Sequence, residues 1–233
     1  MKLRIMTFNI RGYKNYITNK IDFDSINNII KKYNPDIVGF NEVFGNIIGN
    51  KCQIDNICKE LKYFSFFGKS TRIMLKKYGN AIISTYRIIY SDIIDIPKVE
   101  KKKGKKLYQN RTILNSFIDA DGTNINVFIT HLGLNNDEQK KGIEELMKKV
   151  LVSKCIIMGD FNMHPKNKLL NGLRDKYIDL DEYLSEERYS FPSTNPKKKL
   201  DYIFISKDFT VKSSMIGQDI ASDHLPYIVD IEI

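Results

Sequence analysis

An acidic and an amide side chain follow one strongly apolar segment of the chain, in the order Asp160, Phe161, Asn162. The preceding residues 155–158 are apolar at every position, which is typical of a strand buried on both faces. Gly159 allows a turn or a close backbone approach. Because Asp160 and Asn162 are two residues apart, an extended backbone directs both side chains to one side. This pair suits an activated water or a bound phosphate, and a helix-capping turn is the alternative for this stretch alone.

Further polar side chains stand where predicted strands begin or end. In mixed α/β sheets such positions gather at one edge, where ligands bind. Two unit charges about 4 Å apart repel by about 4 kcal/mol at an effective dielectric constant of about 20, so converging carboxylates require a cation. Mg²⁺ prefers oxygen ligands, and the sequence lacks the Cys/His spacing of a zinc site. Taken alone, each residue could instead be a turn former, a cap or an exposed charge. The residues are Asn9, Glu42, His131, Asp201, Asp223 and His224.

The elements that must position these residues follow from hydrophobic periodicity and from turn residues. Many strands with few helices predict two sheets with helices outside them, an α/β layered sandwich. No linker-like stretch divides the chain, so we expect one domain over residues 1–233. The predicted strands are 2–10, 36–40, 63–67, 72–75, 80–84, 87–96, 107–119, 125–130, 155–158, 200–206, 209–217 and 225–233. The predicted helices are one that carries apolar residues from Phe23 to Tyr33, capped by Asp22 or Asp24, and 52–61, 138–151, 168–174 and 179–184.

The composition indicates a globular protein and the kind of partner that it could bind. The chain of 233 residues is 42% hydrophobic and 28% charged, as in globular proteins. Its formal charge of +9 favours phosphate-bearing partners such as nucleic acid or anionic lipid, unless a general bias toward Lys, Ile and Asn explains it. Part of the excess lies in residues 98–106, which form either a solvated loop or a basic patch facing the substrate.

The sequence also gives expectations about location. No stretch reaches the roughly 18 uninterrupted apolar residues that a membrane helix needs, and residues 1–5 lead straight into a predicted strand. Three cysteines are too few and too scattered for a disulfide framework. We therefore expect a reduced, cytoplasmic protein.

Eight short motifs, taken together and in this order, resemble the endonuclease/exonuclease/phosphatase superfamily. That group includes pancreatic-type deoxyribonucleases, abasic-site endonucleases, neutral sphingomyelinases and inositol polyphosphate phosphatases. The resemblance spans nearly the whole chain. It implies a four-layer α/β/β/α sandwich of two packed mixed sheets flanked by helices, with the site at one sheet edge. It also implies Mg²⁺-dependent hydrolysis of a phosphoric ester, with Mn²⁺ as an alternative ion. The motifs are Thr7–Gly12, Asn41–Val43, Tyr78–Ile82, Asn110–Arg111, Thr130–Leu132, Gly159–Asn162, Leu200–Ile203 and Ser222–Pro226.

The resemblance also implies a role for each matching residue. Glu42 would be the main metal ligand, with Asn9 and Asp223 nearby. Asp160 would orient or deprotonate the attacking water, and Asn162 would donate a hydrogen bond to the oxygens of the transition state.

A second group of roles concerns proton transfer and the substrate phosphate. The resemblance implies that His224 pairs with Asp201, which fixes the imidazole tautomer and raises its basicity. Tyr78 would stack on a substrate base or fill the sheet edge. The residues expected on the phosphate side are Arg111, His131, Asn80 and Tyr78.

Three functions remain open at this point. The first is a nuclease-like phosphodiesterase, the second a lipid-headgroup or small-molecule phosphoesterase of the same fold, and the third a non-catalytic phosphate-binding or nucleic-acid-binding module. Residues 41–45 lack the Gln and Lys expected around Glu42 in a DNA-repair enzyme, and no apolar hairpin that would insert into lipid is evident. We expect a monomer that binds a phosphate ester, with nucleic acid as one candidate substrate.

Overall fold

The strands of the protein form two six-stranded sheets. The computed structural model describes residues 1–46, 48–49, 51–99, 109–150, 152–184 and 188–233. The first sheet contains, in spatial order, β11 (Thr210–Ile216), β12 (Tyr227–Glu232), β1 (Lys2–Asn9), β2 (Ile37–Gly45), β4 (Lys76–Ser84) and β3 (Phe64–Ile73). The second contains β5 (Arg87–Asp95), β6 (Thr112–Ala120), β7 (Thr123–His131), β8 (Cys155–Asp160), β10 (Asp201–Ile205) and β9 (Ile178–Asp179).

Helices cover the outer faces of both sheets. The first helix starts at Asp22, whose side chain accepts a hydrogen bond from the Ser25 backbone N–H at 3.0 Å, and Asn34 ends it in the left-handed conformation. Asn135 caps the third helix in the same way. The α-helices are α1 (Phe23–Tyr33), α2 (Asp55–Leu61), α3 (Asn136–Lys149) and α4 (Asn171–Arg174); short 3₁₀ helices are Arg11–Tyr13, Lys168–Leu170 and Leu180–Tyr183.

Three separate apolar clusters establish four layers. The central cluster joins the inner faces of the two sheets, for example Ile5 and Ile37 with Val127 and Ile156. A second cluster packs α1 and α2 on the first sheet, and a third packs α3 and α4 on the second. The expected α/β/β/α sandwich is therefore confirmed.

Two parallel strand pairs bring the polar residues to one edge. β1 runs parallel to β2 with Asn9 beside Asn41, and β7 runs parallel to β8 with His131 beside Asp160. All other strand pairs among the described residues are antiparallel. We call the side where β1, β2, β7 and β8 end the C-terminal edge.

Gly159 allows β8 to end at that edge. Its φ is +139°, and a Cβ atom there would lie 1.9 Å from the Thr130 carbonyl oxygen. No other residue type fits between the two strands without displacing the backbone.

The structure corrects several predicted boundaries. The predicted strands 63–67 and 72–75 form the single strand β3, and Met74 and Leu75 make the turn into β4. β2 continues to Gly45, and Arg111 precedes β6 instead of lying within a strand. Residues 100–106 of the lysine-rich segment lie outside the described residues. None of the described helices combines the length and the apolar character needed to cross a membrane.

Candidate active site

The first sheet contributes Asn9 and Glu42 to the C-terminal edge. The register of β2 against β4 shifts between Phe40 and Val43, and Glu42 lies in this bulge with φ of +61°. A bulge redirects a side chain at the cost of regular pairing. The Asn9 Nδ2 atom donates to Glu42 Oε1 at 3.2 Å and to Asp160 Oδ2 at 3.1 Å. Asn9 therefore joins carboxylates of the two sheets.

Asp160 is the residue on which the other groups converge. Its carboxyl group is buried, and its Oδ1 accepts the Asn162 backbone N–H at 2.9 Å. Its Oδ2 lies 3.5 Å from His131 Nε2 and 3.6 Å from His224 Nε2. Both imidazoles and the Asn9 amide thus face one carboxylate oxygen.

His224 is held from behind by Asp201. The His224 Nδ1 atom lies 2.8 Å from Asp201 Oδ2, and the Ser190 hydroxyl donates to the same oxygen at 2.5 Å. The Phe191 ring packs on the imidazole with centroids 4.9 Å apart. The contact at Nδ1 leaves Nε2 directed at Asp160, so the carboxylate behind the ring determines the orientation of the imidazole.

Burial and neighbouring charges change the proton affinities in this cluster. Burial raises the pKa of Asp160, and the Asp201 charge adds to the rise. Burial opposes charge on His224, yet the Asp201 and Asp160 carboxylates together raise its pKa above the ordinary value. Burial, Arg111 and His224 lower the pKa of His131 well below its usual range. The geometry therefore favours a charged His224 beside a neutral His131.

Glu42 is a half-buried acid at the mouth of the cluster. Burial raises its pKa, and the nearby Asp223 charge raises it further. The Asn9 amide and the Tyr78 hydroxyl hydrogen-bond to it, and the charges of His224 and Arg111 oppose the rise in its pKa. Asp223 itself is partly exposed, with Arg11 Nε 3.8 Å from its Oδ2.

The residues expected to contact the substrate phosphate differ in how deeply they are buried. Arg111 is near enough to shift the pKa values of Glu42 and His131, and its buried Nε lacks a hydrogen-bond partner among the described residues. Tyr78 is buried against the Phe44 ring, with centroids 5.2 Å apart. Arg111 thus places a positive charge and an unsatisfied buried donor beside the cluster.

Asn80 lies beneath the cluster. Its Oδ1 accepts from Asn41 Nδ2 at 2.9 Å, and its Nδ2 donates to the Thr112 carbonyl at 3.2 Å. Asn162 is partly exposed, with φ of +53° and with Nδ2 donating to the Leu132 carbonyl at 3.1 Å.

Sequence reasoning missed three residues that support the site. Asn41 bridges the sheets, because its Nδ2 donates to the Thr130 carbonyl at 3.0 Å and its Oδ1 accepts the Asp160 backbone N–H at 2.8 Å. Gln139 of α3 donates to the Asn162 carbonyl at 2.8 Å, and Ser190 contacts Asp201. The position of Asn41 beside Glu42 at a strand end was a usable signal, whereas Gln139 and Ser190 have no local sequence signature.

The donor set fits a hard divalent cation at Glu42. Asp160, Asp201 and His224 each offer a ligand atom within 4.8 Å of the others. The 2.8 Å contact between His224 and Asp201 is a hydrogen bond that leaves no room for an ion between them. Glu42, by contrast, is a half-buried carboxylate close to the charge of Asp223, and it forms no salt bridge within the described part of the chain, although the charges of His224 and Arg111 act on its pKa. Oxygen ligands of this kind suit Mg²⁺ or Mn²⁺.

Comparison with known proteins adds an independent finding. The family model described as "Endonuclease/Exonuclease/phosphatase family" matches residues 6–224. No sequence among the curated proteins matches the chain. The chain is similar in structure to an endonuclease/exonuclease/phosphatase from Beutenbergia cavernae DSM 12333, with a TM-score of 0.83 and 19% identity, covering 100% of this chain and 72% of that one.

Two further structural neighbours have more specific descriptions. The human Nocturnin catalytic domain with bound sulfate anion has a TM-score of 0.75 and 17% identity, covering 99% of this chain and 94% of that one. A mannosyl-6-phosphatase from Bacteroides thetaiotaomicron VPI-5482 has a TM-score of 0.75 and 17% identity, covering 99% of this chain and 100% of that one. At these identities the likeness shows the fold alone.

Proposed function

The chain belongs to the endonuclease/exonuclease/phosphatase family, and from this membership and the geometry of the cleft we propose that it is a metal-dependent, nuclease-like hydrolase that cleaves phosphodiester bonds by in-line attack of an activated water. Membership supports phosphoester hydrolysis. The diester substrate, the divalent ion and the residue roles are our proposal. The observation that carries it is the convergence of Asn9 Nδ2, His131 Nε2 and His224 Nε2 on Asp160 Oδ2, at 3.1, 3.5 and 3.6 Å.

Asp160 is the proposed base. Its raised pKa brings a carboxyl group toward the pH at which general bases work best, and such catalysis contributes about 10²–10⁴-fold in rate. A water proton moves to Asp160 Oδ2 while the water oxygen forms a bond to phosphorus and the bond to the leaving oxygen breaks. The Asn9 amide hydrogen bond holds the accepting carboxylate in place.

His224 is the proposed source of positive charge. Its protonated imidazole, stabilised by Asp201, can donate from Nε2 to a phosphate oxygen or to the leaving oxygen as negative charge develops. Neutral His131 and the Nε–H of Arg111 are further donors for phosphate oxygens. Asn162 completes this group at the partly exposed side of the cleft, where an amide hydrogen not used by Leu132 can reach a phosphate oxygen.

Glu42 is the proposed principal ligand of a divalent ion, with Asn9 and Asp223 beside it. When bound, Mg²⁺ or Mn²⁺ would supply Lewis acidity and lower the pKa of a bound water. Asn80 and Tyr78 support the cleft from below and from the side, through Asn41 and Glu42 respectively.

The test is hydrolysis of a chromogenic phosphodiester, duplex and single-stranded DNA, RNA, phospholipids and sugar phosphates, with Mg²⁺, Mn²⁺ or chelator. We expect chelator-sensitive turnover that His224→Ala lowers by orders of magnitude. His164→Ala is the matched control, because His164 is exposed. Faster cleavage of monoesters than of diesters would favour the phosphatase alternative. Binding of phosphate without turnover would favour the non-catalytic module.

A further inference from the structure

The most exposed large apolar side chains of the described residues share one location. Five of them are more exposed than all other large apolar side chains: Met74 at 92%, Ile48 at 88%, Leu75 at 76%, Leu134 at 75% and Ile17 at 64%. We call this set the aliphatic rim. Scattered exposed apolar residues need no explanation, but a set concentrated on one side of a protein marks an interaction surface.

Topology places the whole rim at the C-terminal edge. Ile17 follows β1, Ile48 follows β2 and Leu134 follows β7, and each of these strands ends at that edge. Met74 and Leu75 link β3 to β4, and β4 runs antiparallel to β2, so this turn also lies there. The rim therefore surrounds the same edge that carries Asp160 and Glu42.

The turn between β3 and β4 displays its apolar side chains at a conformational cost. Ile73 pairs with Lys76 across a two-residue loop, and both Met74 and Leu75 have positive φ, +47° and +67°. Turns of this kind favour Asn-Gly, because other side chains are strained at positive φ. No apolar hairpin that would insert into lipid was evident in the sequence, whereas the structure has a hairpin with Met74 and Leu75 exposed at its tip. The turn escaped notice because it lacks the Gly and Asn that normally mark one.

Cations surround the hairpin side of the rim. The segment 64–84 contains no acidic residue, and Lys77 Nζ donates to the Gly49 carbonyl at 2.5 Å, which joins the hairpin to the loop of Ile48. Acidic residues lie near Leu134, and Asp55 lines a cavity with Lys69 and Lys77, so cations outnumber acids around the hairpin but not around Leu134. The cations of the two segments are Lys51, Lys69, Arg72, Lys76 and Lys77.

We propose that the aliphatic rim docks the C-terminal edge onto an anionic phospholipid bilayer, with the cations of the hairpin at the headgroups. Anionic membrane surfaces are bound by aliphatic side chains that enter the headgroup region together with neighbouring Lys and Arg side chains. Residues in four separate loops form a broad contact, unlike a single wedge between base pairs, and none has the aromatic ring on which single-stranded bases stack. The proposal rests on the proposed function in one respect, because docking would present phosphate-bearing headgroups to the cleft.

The test is sedimentation of the full chain with phosphatidylcholine vesicles, with or without added phosphatidylserine. The variant Met74→Asn with Leu75→Gly removes the tip and gives the turn its preferred residues, so we expect it to fold at least as well as the wild type. Ile89→Asn is the matched control, because Ile89 is an exposed residue of β5 near the opposite edge. We expect the double variant to lose about tenfold or more in partitioning onto anionic vesicles and the control to lose little. Each cation removed should cost about fivefold.

Three outcomes would overturn the proposal. The wild-type protein does not sediment with anionic vesicles, the double variant binds them as well as the wild type does, or the double variant loses affinity for DNA but not for vesicles. Vesicle binding is measured without turnover. A chain that binds vesicles but hydrolyses no phosphoester would contradict the proposed function and support the docking surface. A chain that hydrolyses a phosphoester but does not bind vesicles would contradict the docking surface and support the proposed function.

Discussion

Replacing Asp160 by Asn separates the chemistry of the cleft from its packing. The two side chains have nearly the same shape, but the amide cannot accept a proton from water. If Asp160 is the base, turnover should fall by about 10²–10⁴-fold, which corresponds to about 3–5 kcal/mol of lost transition-state stabilisation. The measurement is steady-state hydrolysis of a chromogenic phosphodiester at saturating Mg²⁺.

The same substitution should leave the free energy of unfolding nearly unchanged. Burial raises the pKa of Asp160, so the ionised carboxylate is destabilising in the folded state, and the Asp160→Asn variant removes that cost. The new amide loses one acceptor, so the Asn9 or His224 donor is left unsatisfied, which costs about 1–3 kcal/mol. The two terms oppose each other, and we expect a melting temperature within about 5 °C of the wild type in chelator.

The pH dependence of stability shows whether the buried, ionised carboxylate of Asp160 destabilises the folded protein. A carboxyl group whose pKa is raised by folding binds more protons in the folded state above its unfolded pKa of about 4. Wild-type stability therefore falls as the pH rises from that value through the folded pKa. The Asp160→Asn variant lacks this loss, so its stability relative to the wild type should improve over the same window.

Asp179→Asn is the matched control for this experiment. Asp179 is equally buried in the second sheet, but it pairs with Arg174 at 2.8 Å, away from the cleft. Its loss should cost about 1–3 kcal/mol of stability and leave turnover intact. More than a tenth of wild-type activity in Asp160→Asn, or an Asp179→Asn variant that is equally inactive, would refute the assignment of Asp160 as the base.

Three further predictions concern other contacts of the site and of the sheets. Glu42→Gln should raise the Mg²⁺ concentration for half-maximal activity at least tenfold, measured by titration after chelation, and an unchanged requirement would place the ion elsewhere. Asn41→Ala should lose about 2–4 kcal/mol of unfolding free energy in urea, because it removes the hydrogen bonds to Thr130 and Asp160 between the sheets; a loss of a few tenths would contradict that role. Arg4 hydrogen-bonds to Asp230 and lowers its pKa, so the stability lost in Asp230→Asn, about 1 kcal/mol for this partly exposed pair, should be present above pH 4 and vanish as the pH falls through the lowered pKa.

The sequence predicted the strands that carry site residues because their apolar runs are long and end in polar pairs. β1, β7, β8 and β10 lie within two residues of their predicted ends, and the family and layer order follow from the motifs. Alternation indicated β1, whereas β8 is buried on both faces, so its length and Gly159 defined it.

Where prediction failed, the cause was conformation that sequence pattern does not encode. Glu42 was expected after a strand that ends at Phe40, but a bulge lets β2 continue to Gly45 with Glu42 at positive φ. The turn at Met74 and Leu75 has the left-handed backbone of an Asn-Gly turn without those residues. Long-range partners are equally hidden, since Ser190 contacts Asp201 only because the loop before β10 folds back on it.

Acidic side chains are concentrated in the cleft of a basic protein, and this concentration supports the expectation of a bound cation. Four carboxyl groups, Glu42, Asp160, Asp201 and Asp223, stand at the C-terminal edge of a protein whose formal charge is +9. Salt screens exposed charges over about 8–10 Å, so lysines elsewhere on the surface cannot offset repulsion between these acids and a phosphate. His224 compensates Asp201 and Asp160 from within the cluster, whereas no described cation contacts Glu42. A divalent ion beside Glu42 would reduce the repulsion between these carboxylates and a phosphate ester, and this is where we expect the ion to bind.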